Sequence, residues 1–272
     1  MPELPEVETV RSFLYTHMRG RKTIDIKIIN NKLRYKIPND LKKKLSKLII
    51  TNIVRRGKYL ILEYENSNFL LIHLGMTGFF RLSKFTENKK HDHLLFRYKN
   101  FQIIYNDIRK FGFIKLYNQK ELNDSKHLKE MGPEPLTKDF NETYFSNFSK
   151  RNINIKSLLM DQNFVAGLGN IYCSEILFEA SVNPTRQSNS LRIDEISKII
   201  KYTKKILNEA IKLGGTTIKN FIVSDLKIGY FKNQLKVYGR ENKICKKCQK
   251  QHFIEKIIQN GRSTFFCKRC QL

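Results

Sequence analysis

Two groups of residues, at opposite ends of the chain, have the types and spacing for chemistry. The first is Pro2-Glu3-Leu4-Pro5-Glu6-Val7-Glu8. Met1 precedes a small residue, so processing would leave Pro2 as the first residue of the mature chain. A terminal α-amine titrates near ~8, far below lysine, so much of it can be neutral and nucleophilic near neutral pH. A secondary amine that attacks a sugar C1′ gives an iminium, which acidifies the neighbouring carbon and permits elimination. Glu3 is adjacent and suits a general acid and base. The same residues also suit a plain helix start, with Pro5 in the first turn and Glu6 and Glu8 at the positive end of the helix dipole. Taken alone, the segment favours that plainer reading.

The second group is Cys245-x2-Cys248 and Cys267-x2-Cys270, a spacing expected of a zinc ribbon. Four thiolates close a tetrahedron and leave no open position, so one structural Zn2+ is expected and no catalytic metal. Gln259-Asn260-Gly261-Arg262 lies between the knuckles, and Asn-Gly signals a type I′ hairpin turn. Arg262 would stand at the tip, either as a planar donor to phosphate or as a solvated turn residue. The fifth cysteine, Cys173, reads as a small packed thiol on a helix.

Weaker signals lie between. Glycines in Gly167-Leu168-Gly169-Asn170 allow close backbone approach at a helix start, where amides can receive a phosphate, although such turns are common without one. His73-Leu74-Gly75-Met76-Thr77-Gly78 and Ile108-Arg109-Lys110-Phe111-Gly112 are Gly-bearing turns. In combination, Met76, Arg109 and Phe111 could fill the space left by an extruded nucleotide; separately each suits core or a solvated turn. Lys58 begins a strand after Arg55-Arg56-Gly57 and could meet a phosphate. His91 and His93 share a strand face, but no third ligand accompanies them, so they are not read as a metal site.

The elements that must position these residues follow from periodicity. Val7, Val10, Phe13 and Leu14 recur at helical spacing. Runs 58–64, 69–74, 94–98, 101–105 and 111–116 read as strands of a mainly antiparallel β domain. Met131-Gly132-Pro133-Glu134-Pro135 breaks regular structure. Beyond it, 154–160 and 171–180 read as short helices. Ile196 to Ile211 carry one long apolar stripe, with Asp194 expected as N-cap and Gly214-Gly215 as the stop.

The chain has 272 residues, 51 Lys+Arg against 25 Asp+Glu and a net charge of +26. The excess runs throughout, which points to a nucleic acid, or less often an anionic membrane. Codon bias toward Lys, Asn and Ile is the bland alternative. No apolar run reaches the ~18 residues of a membrane span, and no signal core opens the chain. A cytoplasmic protein with reduced cysteines is expected.

Taken together, PELPEVETV, RRGKYL, HLGMTG, HDHLLF, IRKFG, DQNFVAGLGNIYCSE, GGTTIKNF, LKVYGR and NGRSTFFC closely resemble the bacterial formamidopyrimidine-DNA glycosylase family. Leu4 and both wedge motifs favour this branch over endonuclease VIII, which shares the architecture and the Pro-Glu start. The resemblance implies an α+β multidomain fold. It would comprise an N-terminal β-sandwich with flanking helices (1–132), a helix-two-turn-helix domain (133–222), and a lesion-loop segment with a zinc-finger β-hairpin (223–272). It implies a bifunctional DNA glycosylase and abasic-site lyase of base excision repair, acting as a monomer on double-stranded DNA with oxidised purines or abasic sites in a bacterial cytoplasm. By motif, Pro2 is the nucleophile, Glu3 the proton donor and relay, Glu6 a support for the catalytic amine, and Lys58 and Arg262 catalytic phosphate ligands. His73 and Asn170 would hold phosphates, Met76, Arg109 and Phe111 would fill the gap, and Lys156 and Tyr238 would lie near the backbone. The segment Thr216 to Tyr230 would cover the extruded base.

Overall fold

The computed structural model describes residues 2–84, 89–216, 229–248 and 252–272. It divides into two compact units, Met1–Glu130 with Leu213–Tyr230, and Met131–Lys212 with Phe231–Leu272.

The first unit opens with helix α1 (Leu4–Met18), then β1 (Asp25–Ile28), α2 (Leu41–Leu45), β2 (Ile50–Arg56), β3 (Tyr59–Tyr64) and β4 (Asn68–His73). β5 (Phe79–Ser83), β6 (Asp92–Arg97), β7 (Gln102–Asn106), β8 (Phe113–Asn118) and α3 (Gln119–Asn123) complete it. Two antiparallel four-stranded sheets form, in the orders β2-β3-β4-β8 and β1-β6-β7-β5. Their inner faces share one core. Ile53, Leu60, Leu62, Leu70 and Ile72 come from the first sheet and Ile26, Phe80, Phe96, Ile103 and Tyr105 from the second. Val7, Val10, Phe13 and Leu14 of α1 close it. The period of two that sends Leu60 and Leu62 inward turns Ile61 to the other face, where it packs with Leu71, Phe113 and Leu122.

Strands β3, β4, β6 and β7 fall where the apolar alternation places them. Three further strands, β1, β2 and β5, carry no clear pattern. β8 begins at Phe113, not Phe111, because Lys110 takes a positive φ of 57° and keeps the preceding residues in a turn. Lys58 likewise stands in the β2–β3 turn, after Gly57 at φ 55°, and not on the strand.

The second unit contains α4 (Glu142–Ser149), α5 (Ile155–Met160), α6 (Asn170–Ala180), α7 (Ile193–Lys212), β9 (Glu255–Gln259) and β10 (Arg262–Phe266). α7 buries the expected stripe of Ile196, Ile199, Ile200, Ile206, Leu207 and Ala210. Asp194 is not its N-cap. The helix starts at Ile193, and Glu195 instead accepts the Arg192 N–H at 2.9 Å, while Asp194 pairs with Arg192 and Lys198. Gly214 and Gly215 follow the helix at φ 74° and 78°, a left-handed stop that only glycine adopts at little cost. Among the described residues no helix is long and apolar enough to cross a membrane.

Candidate nucleic-acid interface and metal centre

Pro2 and Glu3 are buried at the start of α1. Glu3 is the N-cap, with an extended backbone, and Glu6 Oε2 accepts its N–H at 2.8 Å. The other oxygen of Glu6 accepts the Thr216 N–H at 2.7 Å and the Thr216 hydroxyl at 3.0 Å. The plain helix cap and the chemical reading are therefore compatible: the cap is what holds the Glu3 backbone. Glu8 accepts from Arg55 Nε at 3.0 Å, and Arg55 Nη1 donates to Gly57 O at 3.1 Å. This ties α1 to the turn that carries Lys58, itself buried.

His73 ends β4 opposite Tyr59, the neighbour of Lys58. Burial, reinforced by the charges of Lys58, Arg34 and His127, lowers its pKa to about 4. Its Nδ1 accepts the Gly75 N–H at 3.2 Å, so the neutral ring carries its proton on Nε2 as a donor. His73, Met76, Arg109 and Phe111 line one open cleft of about 640 Å³, together with Arg34 and Lys110. Met76 is 38% and Phe111 48% exposed, and the Arg109 guanidinium lies 4.7 Å from the Phe111 ring centre. Large apolar side chains standing in water beside cations suit a surface that meets stacked bases. Arg34 is a residue that sequence reasoning misses, because it sits in an irregular loop as one basic residue among many.

His93 is fully buried, with Nδ1 3.0 Å from Asn30 O and Nε2 3.0 Å from Asp107 O. Both nitrogens are engaged by carbonyls, which agrees with its exclusion as a metal ligand.

In the second unit, Asn260 and Gly261 take φ of 47° and 71°, and Arg262 pairs with Gln259 across the two-residue turn. Arg262 is exposed. Its strand is clamped from behind. Asn170, first residue of α6, donates to Ser263 O at 2.8 Å. Lys156 Nζ donates to the Thr264 hydroxyl at 2.6 Å and to Ser263 O at 3.3 Å. Lys156 is only 2% exposed, so it braces the hairpin and does not stand on the surface. Asn170 Oδ1 is buried and has no hydrogen-bond partner among the described residues. Glu175, a second residue missed from sequence, accepts the N–H groups of Lys236, Val237 and Tyr238 at 2.8, 3.0 and 2.8 Å. Burial raises its pKa against the lowering effect of those three bonds. It thereby fixes Tyr238, whose ring meets Phe265 edge-on at 5.1 Å. Cys173 is buried, as expected of a packed thiol.

The four cysteine sulfurs of Cys245, Cys248, Cys267 and Cys270 lie within 4.8 Å of one another. Cys245–Cys270 is 3.8 Å and Cys248–Cys267 is 3.9 Å. A tetrahedron with Zn–S bonds of about 2.3 Å has edges of about 3.8 Å, so the donor set fits one structural Zn2+. Around it Val237, Ile254 and Phe265 form a small core with Phe178 of α6. The expected cover over the extruded base falls mainly on 217–228, outside the described residues.

Comparison with known proteins agrees with this arrangement. The family model for the formamidopyrimidine-DNA glycosylase N-terminal domain matches residues 1–114, that for its H2TH domain 131–222, and that for the zinc finger found in FPG and IleRS 252–272. The formamidopyrimidine-DNA glycosylase of Hydrogenovibrio crunogenus is 42% identical over 274 residues, covering 100% of this chain and 96% of its own. The Lactococcus lactis Fpg solved with abasic-site DNA is 38% identical, with a TM-score of 0.91 and 99% of each chain covered. MutM in complex with DNA containing carbocyclic 8-oxo-G is 39% identical, with a TM-score of 0.90 and the same coverage. By sequence, fold and metal centre alike, the chain belongs to the formamidopyrimidine-DNA glycosylase family.

Proposed function

We propose that the protein is a DNA glycosylase of base excision repair that removes oxidised purines from duplex DNA and then cleaves the strand as an abasic-site lyase. The observation that carries this reading is the capped start of α1, with Pro2 buried beside Glu3, on a chain 42% identical to a formamidopyrimidine-DNA glycosylase over its full length. Once Met1 is removed, the Pro2 nitrogen attacks C1′, the C1′–base bond breaks and the base leaves with a proton. The C1′–O4′ bond then opens as Glu3 delivers a proton to O4′, and the nitrogen lone pair forms the C1′ iminium, which acidifies C2′. Loss of the C2′ proton expels the 3′ phosphate, and a second elimination expels the 5′ phosphate. Glu6 holds the Glu3 backbone in place.

Lys58, His73, Asn170 and Arg262 take phosphates of the lesion strand, His73 as a neutral Nε2–H donor. Met76, Arg109 and Phe111 fill the space of the extruded nucleotide, with Arg109 toward the orphaned cytosine. Lys156 serves by holding the strand behind Arg262, and Tyr238 stands near the backbone on the segment that Glu175 fixes. The functional division is into a β-sandwich domain, a helix-two-turn-helix domain and a zinc hairpin, with Zn2+ supplying only the fold of the last.

Borohydride trapping tests the reading, after intact mass spectrometry has verified that Met1 is gone. A duplex with 8-oxoguanine opposite cytosine should yield a covalent protein–DNA adduct, and Pro2→Gly and Glu3→Gln should suppress it. Absence of the adduct with wild type refutes the reading. Preference for thymine glycol would mark an endonuclease VIII-like enzyme instead, and lesion binding without any cleavage a non-catalytic scaffold.

A further inference from the structure

The exposed side chains Met76, Arg109 and Phe111 stand on two separate turns, one after β4 and one between β7 and β8. One buried carboxylate joins them. Asp107 is fully buried, and its Oδ1 accepts the Thr77 hydroxyl at 2.5 Å while Oδ2 accepts the Gly112 N–H at 2.8 Å. Thr77 Oγ1 in turn accepts the Arg109 N–H at 3.0 Å. The relay therefore runs from Thr77 of the Met76 turn directly to Arg109 and, through Asp107, to Gly112 at the other end of the Arg109–Phe111 turn.

The backbone that carries this carboxylate is held as well. Asp107 N–H donates to His91 O at 3.1 Å, and its carbonyl lies 3.0 Å from His93 Nε2. The two turns also touch through backbone: a Cβ on Gly75 would meet Gly112 N at 2.4 Å.

We propose that Asp107, acting through Thr77, is a positioning residue that locks the Met76 turn and the Arg109–Phe111 turn into one preformed wedge, and so sets how strictly the base opposite the lesion is selected. The proposal rests on the reading of these three side chains as gap-fillers. A wedge ordered before binding avoids the ordering entropy that two independent loops would lose on entering the duplex. A guanidinium discriminates between base edges only if its backbone is held still. An abasic site has no base to extrude, so its cleavage depends less on the wedge.

The variants are Thr77→Val, which keeps the shape and removes both hydroxyl bonds, and Thr77→Ser, which keeps the hydroxyl. Three quantities are measured on each: single-turnover excision of 8-oxoguanine opposite cytosine and opposite adenine, cleavage of a preformed abasic site, and amide hydrogen exchange across 105–113. Thr77→Val should lower excision opposite cytosine by about tenfold, in line with the loss of a buried hydrogen bond, and narrow the cytosine-over-adenine preference. Abasic cleavage should fall by less, and Arg109 exchange should accelerate. Thr77→Ser should restore all of these. Equal loss on both substrates, or an unchanged opposite-base preference, overturns the positioning role. If wild type acts on neither duplex, the glycosylase reading fails. Exchange still judges the lock, because unchanged Arg109 protection in Thr77→Val refutes it regardless of activity.

Discussion

His73 gives a pH prediction with a definite sign. The fold holds this ring neutral: burial, with Lys58, Arg34 and His127 around it, lowers its pKa from 6.5 to about 4. The unfolded chain takes up the proton near 6.5, so between these two values the unfolded state binds more protons than the native one. The stability tied to the neutral ring is complete above pH 6.5 and is lost as pH falls toward 4. The full loss is at most about 3 kcal/mol, of which about 2 kcal/mol has gone by pH 5. His73→Gln removes the titration and keeps a donor near the position of Nε2. Urea unfolding of both proteins at about pH 8 and pH 5 isolates the effect, since all other titrating groups are common to the pair. The wild-type advantage should shrink by about 2 kcal/mol between the two conditions. A change under about 0.5 kcal/mol refutes the neutral ring. The same tautomer argument predicts that the ratio of DNA affinities of the two proteins stays flat between about pH 6 and 8, whereas an imidazolium contact would grow toward acid.

Two further substitutions separate bracing from direct contact. Lys156→Met should weaken DNA binding although Lys156 is buried, because the strand behind Arg262 loses the bonds to Thr264 and Ser263. The slope of affinity against salt should stay unchanged, whereas loss of a true phosphate contact would lower it by about 0.9. Gly215→Ala places a methyl group 2.5 Å from Glu6 Oε1 at a φ of +78°. Glu6 cannot swing aside freely while Thr216 holds it, so thermal unfolding should show about 2 to 4 kcal/mol of destabilisation. Adduct trapping should fall with it through release of the Glu3 cap, and a variant as stable as wild type would contradict the Glu6–Thr216 anchor.

Local chemistry was enough to read much of this protein from its residues. The cysteine spacing, the Asn260-Gly261 turn, the double-glycine stop and the stripe of α7 each depend on neighbours a few positions away. The structure keeps them all. β2 was illegible because Thr51, Asn52, Arg55 and Arg56 break its alternation, and β5 because it buries Arg81 against Asp92. Asp194 failed as a cap because the helix already begins at Ile193, which places Asp194 inside the first turn, where it pairs with Arg192 and Lys198.

The long-range partners that hold the site were legible nowhere in the sequence. Glu6 reaches Thr216, Lys156 reaches Thr264, Glu175 reaches Tyr238 and Asp107 reaches Thr77. Sequence by itself determined the types that can do the chemistry and the metal that closes the hairpin, because a thiolate quartet or an amine beside a carboxylate is defined by its own atoms. Which polar groups are buried, and so must find partners across long stretches of chain, was decided only when the two sheets and the helices packed. A hydrogen bond between distant residues leaves no local period, and only the folded chain brings its two ends together.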